Sequence, residues 1–210
     1  MIGLGRFGTA VATTLVSLGR EVLAVDSQAD QVQRIADTVT HAVRADATDI
    51  LAMQQLGAAD FSHAVVAIGH GVEASVLSTS VLVDLGVTTI WAKAITREHG
   101  RILERIGAHR VTYPESEAGE RVAHLVSDRL LDYIRFDDDF AVVKMLVPPD
   151  QAGQTLAAAH LRRTYDVTVV GIKAPGQAFT YATPETELTL GSTLAVAGPI
   201  DALERFARNA

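Results

Sequence analysis

Gly3-Leu4-Gly5-Arg6-Phe7-Gly8 is a G-x-G-x-x-G run, and Leu23-Ala24-Val25-Asp26 follows it. Glycine-rich hexapeptides arise often by chance, so the context decides what this one means. Phe7, Ala10, Val11, Thr14, Leu15 and Leu18 recur at helical spacing and Gly19 supplies a stop, so the run opens an amphipathic helix. The strand ending in Asp26 then arrives at the distance expected of a dinucleotide-binding unit. Gly3 permits the tight turn, Gly5 lets backbone approach a pyrophosphate, and Gly8 allows close contact between helix and sheet. Phosphates would rest on free amides at the helix N-terminus, where the dipole also favours them. Asp26 would accept hydrogen bonds from both ribose hydroxyls and repel a 2′-phosphate, which disfavours NADP. Only Met1 and Ile2 precede the glycines, where a first strand usually has about five residues. The central strand is expected to be a stub, either because the true start lies upstream of Met1 or because the strand is shortened.

Outward from the motif, short β-rich runs alternate with helical stretches as far as Pro114. Glu21–Val25, Thr40–Arg44, His63–Ile68, Thr89–Ala94 and His109–Thr112 read as buried strands. Val32 to Val39, Val72 to Leu85 and Ile102 to Ile106 supply helical faces, the last two closed by Gly86 and Gly107. Strict alternation predicts a parallel sheet covered on both faces. From Glu115 to Ile134 the spacing of Val122, Leu125, Val126, Arg129, Leu130 and Tyr133 predicts one connector helix, with Pro114 and three acids at its start. Asp137-Asp138-Asp139 reads as a boundary. Beyond it come a strand over Ala141–Val147, Pro148-Pro149, a helix over Leu156–Thr164, a strand over Val167–Ala174, short strands up to Ala197 and a helix over Asp201–Arg208. The fold class is therefore α/β: a Rossmann-like doubly wound parallel sheet, a connector helix and a small α+β domain, with limits at 1–134 and 135–210.

The bulk numbers narrow the function. The chain has 210 residues, 48% hydrophobic and 20% charged, and a formal charge of −7, which disfavours a nucleic-acid-coating role. Cysteine is absent, so disulfides, thiolate metal sites and cysteine nucleophiles are excluded together. No apolar run approaches the roughly 18 to 20 residues of a membrane span, and no signal core follows Met1, so a cytoplasmic place is expected. The seven histidines are scattered and form no H-x-x-x-H or H-E-x-x-H pattern. With no G-x-S-x-G elbow and no P-loop lysine either, the chain is expected not to be an enzyme. The alternatives are an NAD-dependent oxidoreductase and an NADH redox sensor of the same fold.

Two further residues stand near the expected ligand. Arg6 lies inside the glycine loop, where a charge-assisted bond to a terminal phosphate would be strong. A solvated surface arginine is the alternative. Asp46, in Asp46-Ala47-Thr48 after a strand, could accept from an adenine amino group, or it belongs to the cap of the next helix, a part that Thr48 or Asp49 also fits.

Taken together, Gly3–Gly8, Leu23-Ala24-Val25-Asp26, Ala45-Asp46-Ala47-Thr48, Val65-Val66-Ala67-Ile68-Gly69, Glu73-Ala74-Ser75, Ile106-Gly107-Ala108 and Tyr113-Pro114-Glu115 resemble the regulator-of-potassium-conductance (RCK) family, in its KtrA/TrkA-like cytoplasmic subunits of bacterial potassium uptake systems. The resemblance implies homodimers assembled into rings, commonly octamers, beneath a KtrB/TrkH-like potassium-translocating subunit. It implies ATP, ADP or NAD(H) as ligands, with ATP and ADP favouring different ring shapes. It places Arg6 at the γ-phosphate, Asp26 at the ribose and Asp46 near adenine. The expected contact set is Gly3, Gly5, Arg6, Phe7, Gly8, Asp26, Ser27, Asp46, Ala47, Thr48, Ala67, Ile68, Gly69 and Lys93. Glu115 matches a glutamate that contributes to a divalent or sodium cation site in the family, and a helix-start role fits it equally. Some relatives bind cyclic di-AMP in the C-terminal domain, where a helix end carries an Asn near an Arg. Here His160-Leu161-Arg162-Arg163 departs from that pattern, which counts against cyclic di-AMP.

Overall fold

A computed structural model describes residues 1–127 and 130–208 of the chain. Its packing forms two compact units, Met1–Glu115 and Ser116 onward. In the first unit the order is α1 (Arg6–Ser17), β1 (Leu23–Asp26), α2 (Ala29–Ile35), β2 (His41–Arg44), α3 (Ile50–Gln55), β3 (His63–Val66), α4 (Val72–Asp84), β4 (Thr89–Lys93), α5 (Arg97–Arg105) and β5 (Arg110–Thr112). The pairs β1–β2, β3–β4 and β4–β5 are all parallel. Ile2 bridges both Val25 and Val66 in parallel. Gly3 N donates to Val25 O at 2.9 Å on one side, and Ile2 N donates to Val65 O at 2.8 Å on the other. The expected stub is thus the central rung, and the order β2-β1-stub-β3-β4-β5 reverses direction beside the glycine loop. A doubly wound sheet binds ligands at such a switch point.

Alternation along β1 feeds two cores. Ala24 packs with Leu4, Ala12 and Ile35 on the face of α1 and α2. Val25 packs with Met53, Val66, Leu82, Ile90 and Leu103 on the face of α3, α4 and α5. Cover on both faces holds only for part of this unit. The row Val65, Trp91, Arg110 points away from the second core, and Trp91 is 44% exposed. The reason is that α4 and α5 both return on the face of Leu82 and Leu103.

The helix expected over 115–134 is shorter. It runs as α6 (Pro114–Ser127), and β6 (Leu130–Arg135) follows as a strand; Arg129 lies outside the described residues. A register shift between Leu130 and Asp132, where β6 meets β7 (Phe140–Leu146), explains the mistaken periodicity. In a regular strand, residues three apart face opposite sides. The bulge turns Leu130 and Tyr133 to the same side, both buried, and so imitates helical spacing. Asp137-Asp138-Asp139 lies in the loop of the β6–β7 hairpin, where Phe136 N and Asp137 N both donate to Phe140 O. An acidic run suits a solvated turn as well as a linker, and the chain divides at Glu115/Ser116 instead.

The second unit continues with α7 (Leu156–Ala159), α8 (Leu161–Tyr165), β8 (Thr168–Lys173), β9 (Thr180–Tyr181), β10 (Thr193–Pro199) and α9 (Ile200–Arg208). Its sheet has the order β6-β7-β10-β8-β9, antiparallel throughout. Val143, Met145, Leu194 and Val196 pack with Leu161, Leu203 and Phe206. The helix expected over 156–164 is broken at His160, whose φ of 48° lies in the left-handed region.

Candidate nucleotide-binding site

The switch point holds a cleft of about 230 Å³. Gly3 and Gly5 from the loop, and Asp26 and Ser27 from the tip of β1, form one side. Asp46, Ala47 and Thr48 close one end. Ala67, Ile68 and Gly69 after β3 form the opposite wall. Sequence reasoning missed Gln28 and Gln31 of the β1–α2 corner, His70, and Ala74 and Ser78 of α4, all of which line the cleft. Small residues four apart in α4, where bulkier ones would be expected in a packed helix, were the signal for the last two. Arg6, Phe7, Gly8, Lys93 and Glu115 are not in the cleft lining.

The three motif glycines answer to different demands. Gly3 has φ +85°, and an added Cβ would lie 3.0 Å from Ala67 C. A Cβ on Gly8 would lie 1.9 Å from Gly3 O. Both are therefore required by the fold. Gly5 is not: its φ is −65°, and a Cβ there would meet nothing within 4 Å. The protein's own packing gives no reason for a glycine at that position, but a ligand lying on the loop would.

Beside Gly5, no side chain caps α1 and no acid stands in its first turn. By contrast, Asp49 caps α3 and Thr96 caps α5. The first amides of α1, next to the cleft-lining Gly5, are therefore donors without a side-chain cap, as an anion site requires.

Asp26 points back at the loop. Its Oδ2 accepts from Leu4 N at 2.7 Å and its Oδ1 from Gln28 N at 2.8 Å. These bonds fix the carboxylate at the strand tip and leave lone pairs for further donors. Arg44, opposite Asp26 in the β1–β2 register, donates from Nε to Ser27 O at 3.1 Å and steadies the same corner. Asp46 is engaged locally: its Oδ1 accepts from Thr48 N at 2.9 Å and Thr48 Oγ1 at 2.7 Å. The Thr48 amide is the main cause that holds the Asp46 carboxyl below its ordinary value, with the Thr48 hydroxyl adding to it. The cap of the following helix belongs to Asp49, which accepts from Leu51 N and Ala52 N.

Lys93 is 7% exposed, and its Nζ bonds Glu115 Oε1 at 2.5 Å. That bond is the largest cause lowering the Glu115 carboxyl. Among the described residues, no three His, Asp or Glu side chains are gathered as a metal ion would need.

The TrkA-N domain family matches residues 1–114, and the TrkA-C domain family matches residues 142–210. The chain belongs to the TrkA/RCK family. This TrkA/RCK chain is 35% identical over 207 residues to the Ktr system potassium uptake protein C of Bacillus subtilis (strain 168), covering 98% of this chain and 94% of that protein. It is 35% identical over 204 residues to the Ktr system potassium uptake protein A of Vibrio alginolyticus, covering 97% and 93%. Its fold is similar to that of the GsuK RCK domain, with a TM-score of 0.66 at 20% identity, over 99% of this chain and 46% of that one. The GsuK channel bound to NAD gives the same TM-score at 19% identity, over 96% of this chain and 37% of that one. The TrkA/RCK chain thus spans less than half the length of those two structures, and the likeness to them is one of fold.

Proposed function

We propose that this chain is a nucleotide-sensing regulatory subunit of a potassium uptake system, acting at the cytoplasmic side of a membrane subunit that carries the ion. The observation that carries the reading is the open space over Gly5 beside the uncapped start of α1. An adenine nucleotide supplies what that geometry lacks: a pyrophosphate for the free amides and ribose hydroxyls for Asp26. The end of the cleft at Ala47 and Thr48 would take the base. Arg6, the first residue of α1, would meet a terminal phosphate, so ATP would make a contact that ADP does not. The names of the 35% identical relatives support the potassium role. The NAD on a channel of the same fold supports a dinucleotide as an alternative occupant of the same cleft. No reaction is proposed. No described helix is long and apolar enough to cross a membrane, so the ion path would belong to a KtrB/TrkH-like partner.

Sensing then works by population shift. Two ligands move the assembly only by their difference in affinity for its two shapes, typically ~1–3 kcal/mol per site. In an octameric ring of dimers, coupled sites would sum that bias.

The test has two stages. In a melting panel of ATP, ADP, NAD, NADH and cyclic di-AMP, an adenine nucleotide should raise apparent stability by about 2.7 kcal/mol at a hundred times its Kd. Rubidium flux through the reconstituted partner should then differ between ATP and ADP. Flux that is indifferent to every nucleotide would refute the sensing role.

A further inference from the structure

Among the described residues that line the cleft, Asp26 and Asp46 are acidic, none is a lysine or arginine, and His70 alone can gain a positive charge. The Thr48 amide, and then the Thr48 hydroxyl, hold the Asp46 carboxyl low, so it stays charged near neutral pH. The lining thus carries two negative charges with His70 neutral, and a net of one with it protonated. An anionic ligand enters against that field, and the amides of α1 offer only partial charges. His70 stands exposed at the end of the Ala67–Gly69 wall, just before Gly71 and α4. That wall runs against the glycine loop: a Cβ on Gly3 would lie 3.0 Å from Ala67 C and 3.2 Å from Ile68 N. The other charged groups around His70 are of kinds that do not titrate near neutral pH. Lys93 of β4 has its Nζ 3.2 Å from where a Cβ on Gly69 would stand, and Glu115 pairs with it at 2.5 Å. Glu73 stands in the first turn of α4, and Arg6 opens α1 outside the lining.

We infer that His70 is a ligand-binding residue that couples the nucleotide to a proton: the bound phosphates draw a proton from solvent onto its imidazole, and affinity rises as the pH falls. The inference rests on the reading that the cleft holds an adenine nucleotide. Imidazole is the side chain whose charge ordinarily changes between about pH 8 and pH 5. In a cleft of about 230 Å³ an occupant's phosphate charge cannot lie far from a lining side chain. A partly dry site also screens their attraction less than bulk water does. Linkage is reciprocal, so whatever factor the nucleotide adds to the hold on the proton, the proton adds to the hold on the nucleotide. A regulator so built reports nucleotide and acidity together.

The experiment is calorimetric titration of NAD and of ADP, at about pH 6 and about pH 8, into the wild-type chain, His70→Gln and His70→Lys. NAD carries no phosphate that titrates in this range. The terminal phosphate of ADP does, but its titration is common to every chain and cancels when the chains are compared. The wild-type chain should bind on the order of fivefold tighter at the lower pH, with heats that vary with the buffer's ionisation enthalpy because protons are taken up. In His70→Gln the pH ratio for NAD should fall below about twofold, at the weaker affinity. In His70→Lys it should be as flat but at the tighter affinity, because that charge is permanent in this range. The position is exposed, so both variants should fold, as melting will check, and either one suffices for the comparison. A pH ratio that is the same in the wild-type chain and in the variants, or a wild-type chain without one, would overturn the inference alone. A wild-type chain that binds neither nucleotide would overturn the nucleotide reading and this inference with it.

Discussion

At the scale of single residues, the glycine motif separates into what the fold needs and what a ligand needs. Gly8→Ala places a methyl 1.9 Å from Gly3 O, a backbone atom that cannot swing away. Its expected cost is ~3 kcal/mol or more, read as a shift in urea midpoint. Gly5→Ala meets open space, so its cost should stay within about 1 kcal/mol, the scale of a changed helix cap. The same substitution should weaken adenine-nucleotide binding by at least ~tenfold, because the methyl occupies the pyrophosphate's place. Arg6→Ala should weaken ATP more than ADP in parallel titrations, and equal losses would remove Arg6 from the terminal phosphate. All three glycines were legible as a motif, which already gave Gly5 to the ligand and Gly8 to packing, yet nothing in the letters shows that Gly8 is confined by Gly3 O while Gly5 has open space. That difference appears only once Gly3 O has a position. The place of Asp26 was legible because it is the last residue of a short strand. Lys93 and Glu115 were legible only through family resemblance, since they are 22 residues apart and meet through the fold.

At the scale of elements, local spacing succeeded where packing was regular and failed where a bulge or a special backbone angle intervened. The alternation of strands and helices in the first unit needs only the periods of the two structures. The bulge in β6 gives two core residues a separation of three, and sequence alone cannot tell that from a helix. His160 is the other case. It ends α7 at φ 48°, a conformation that glycine adopts without the Cβ penalty. His160→Gly should leave stability unchanged or raise it by up to about 1 kcal/mol, while His160→Val should lower it, both measured by denaturant melts. In α5, His99 is 3% exposed, its Nδ1 faces Ile95 N at 3.4 Å, and its Nε2 has no partner among the described residues. Burial pushes this imidazole below its ordinary value of 6.5. The unfolded chain then takes up a proton first as the pH falls through about 6.5, so stability drops on the acid side of that point and is regained above it. Urea midpoints at about pH 7 and pH 5 should differ less in His99→Gln than in the wild-type chain. An equal difference would show that His99 does not carry this dependence.

At the scale of the whole molecule, the parallel order around the Ile2 rung puts the loop, the Asp26 tip and the Ala67–Gly69 wall at one crevice. That convergence was readable in advance because a doubly wound sheet leaves only one place where crossovers diverge. The extent of the second unit was not readable, because α6 runs across the division at Glu115/Ser116, and its Pro114 and Gly119 suit a helix start and an open surface position as well as a boundary. The account's central claim is that α1's opening amides and the Asp26 carboxylate together grip one adenine nucleotide. A crystal structure of the full chain grown with ADP tests it most directly. The account predicts the pyrophosphate on the amides of Gly5 to Gly8, with both ribose hydroxyls donating to Asp26. ADP bound away from the β1–β3 crevice, or a ribose turned from Asp26, would contradict it.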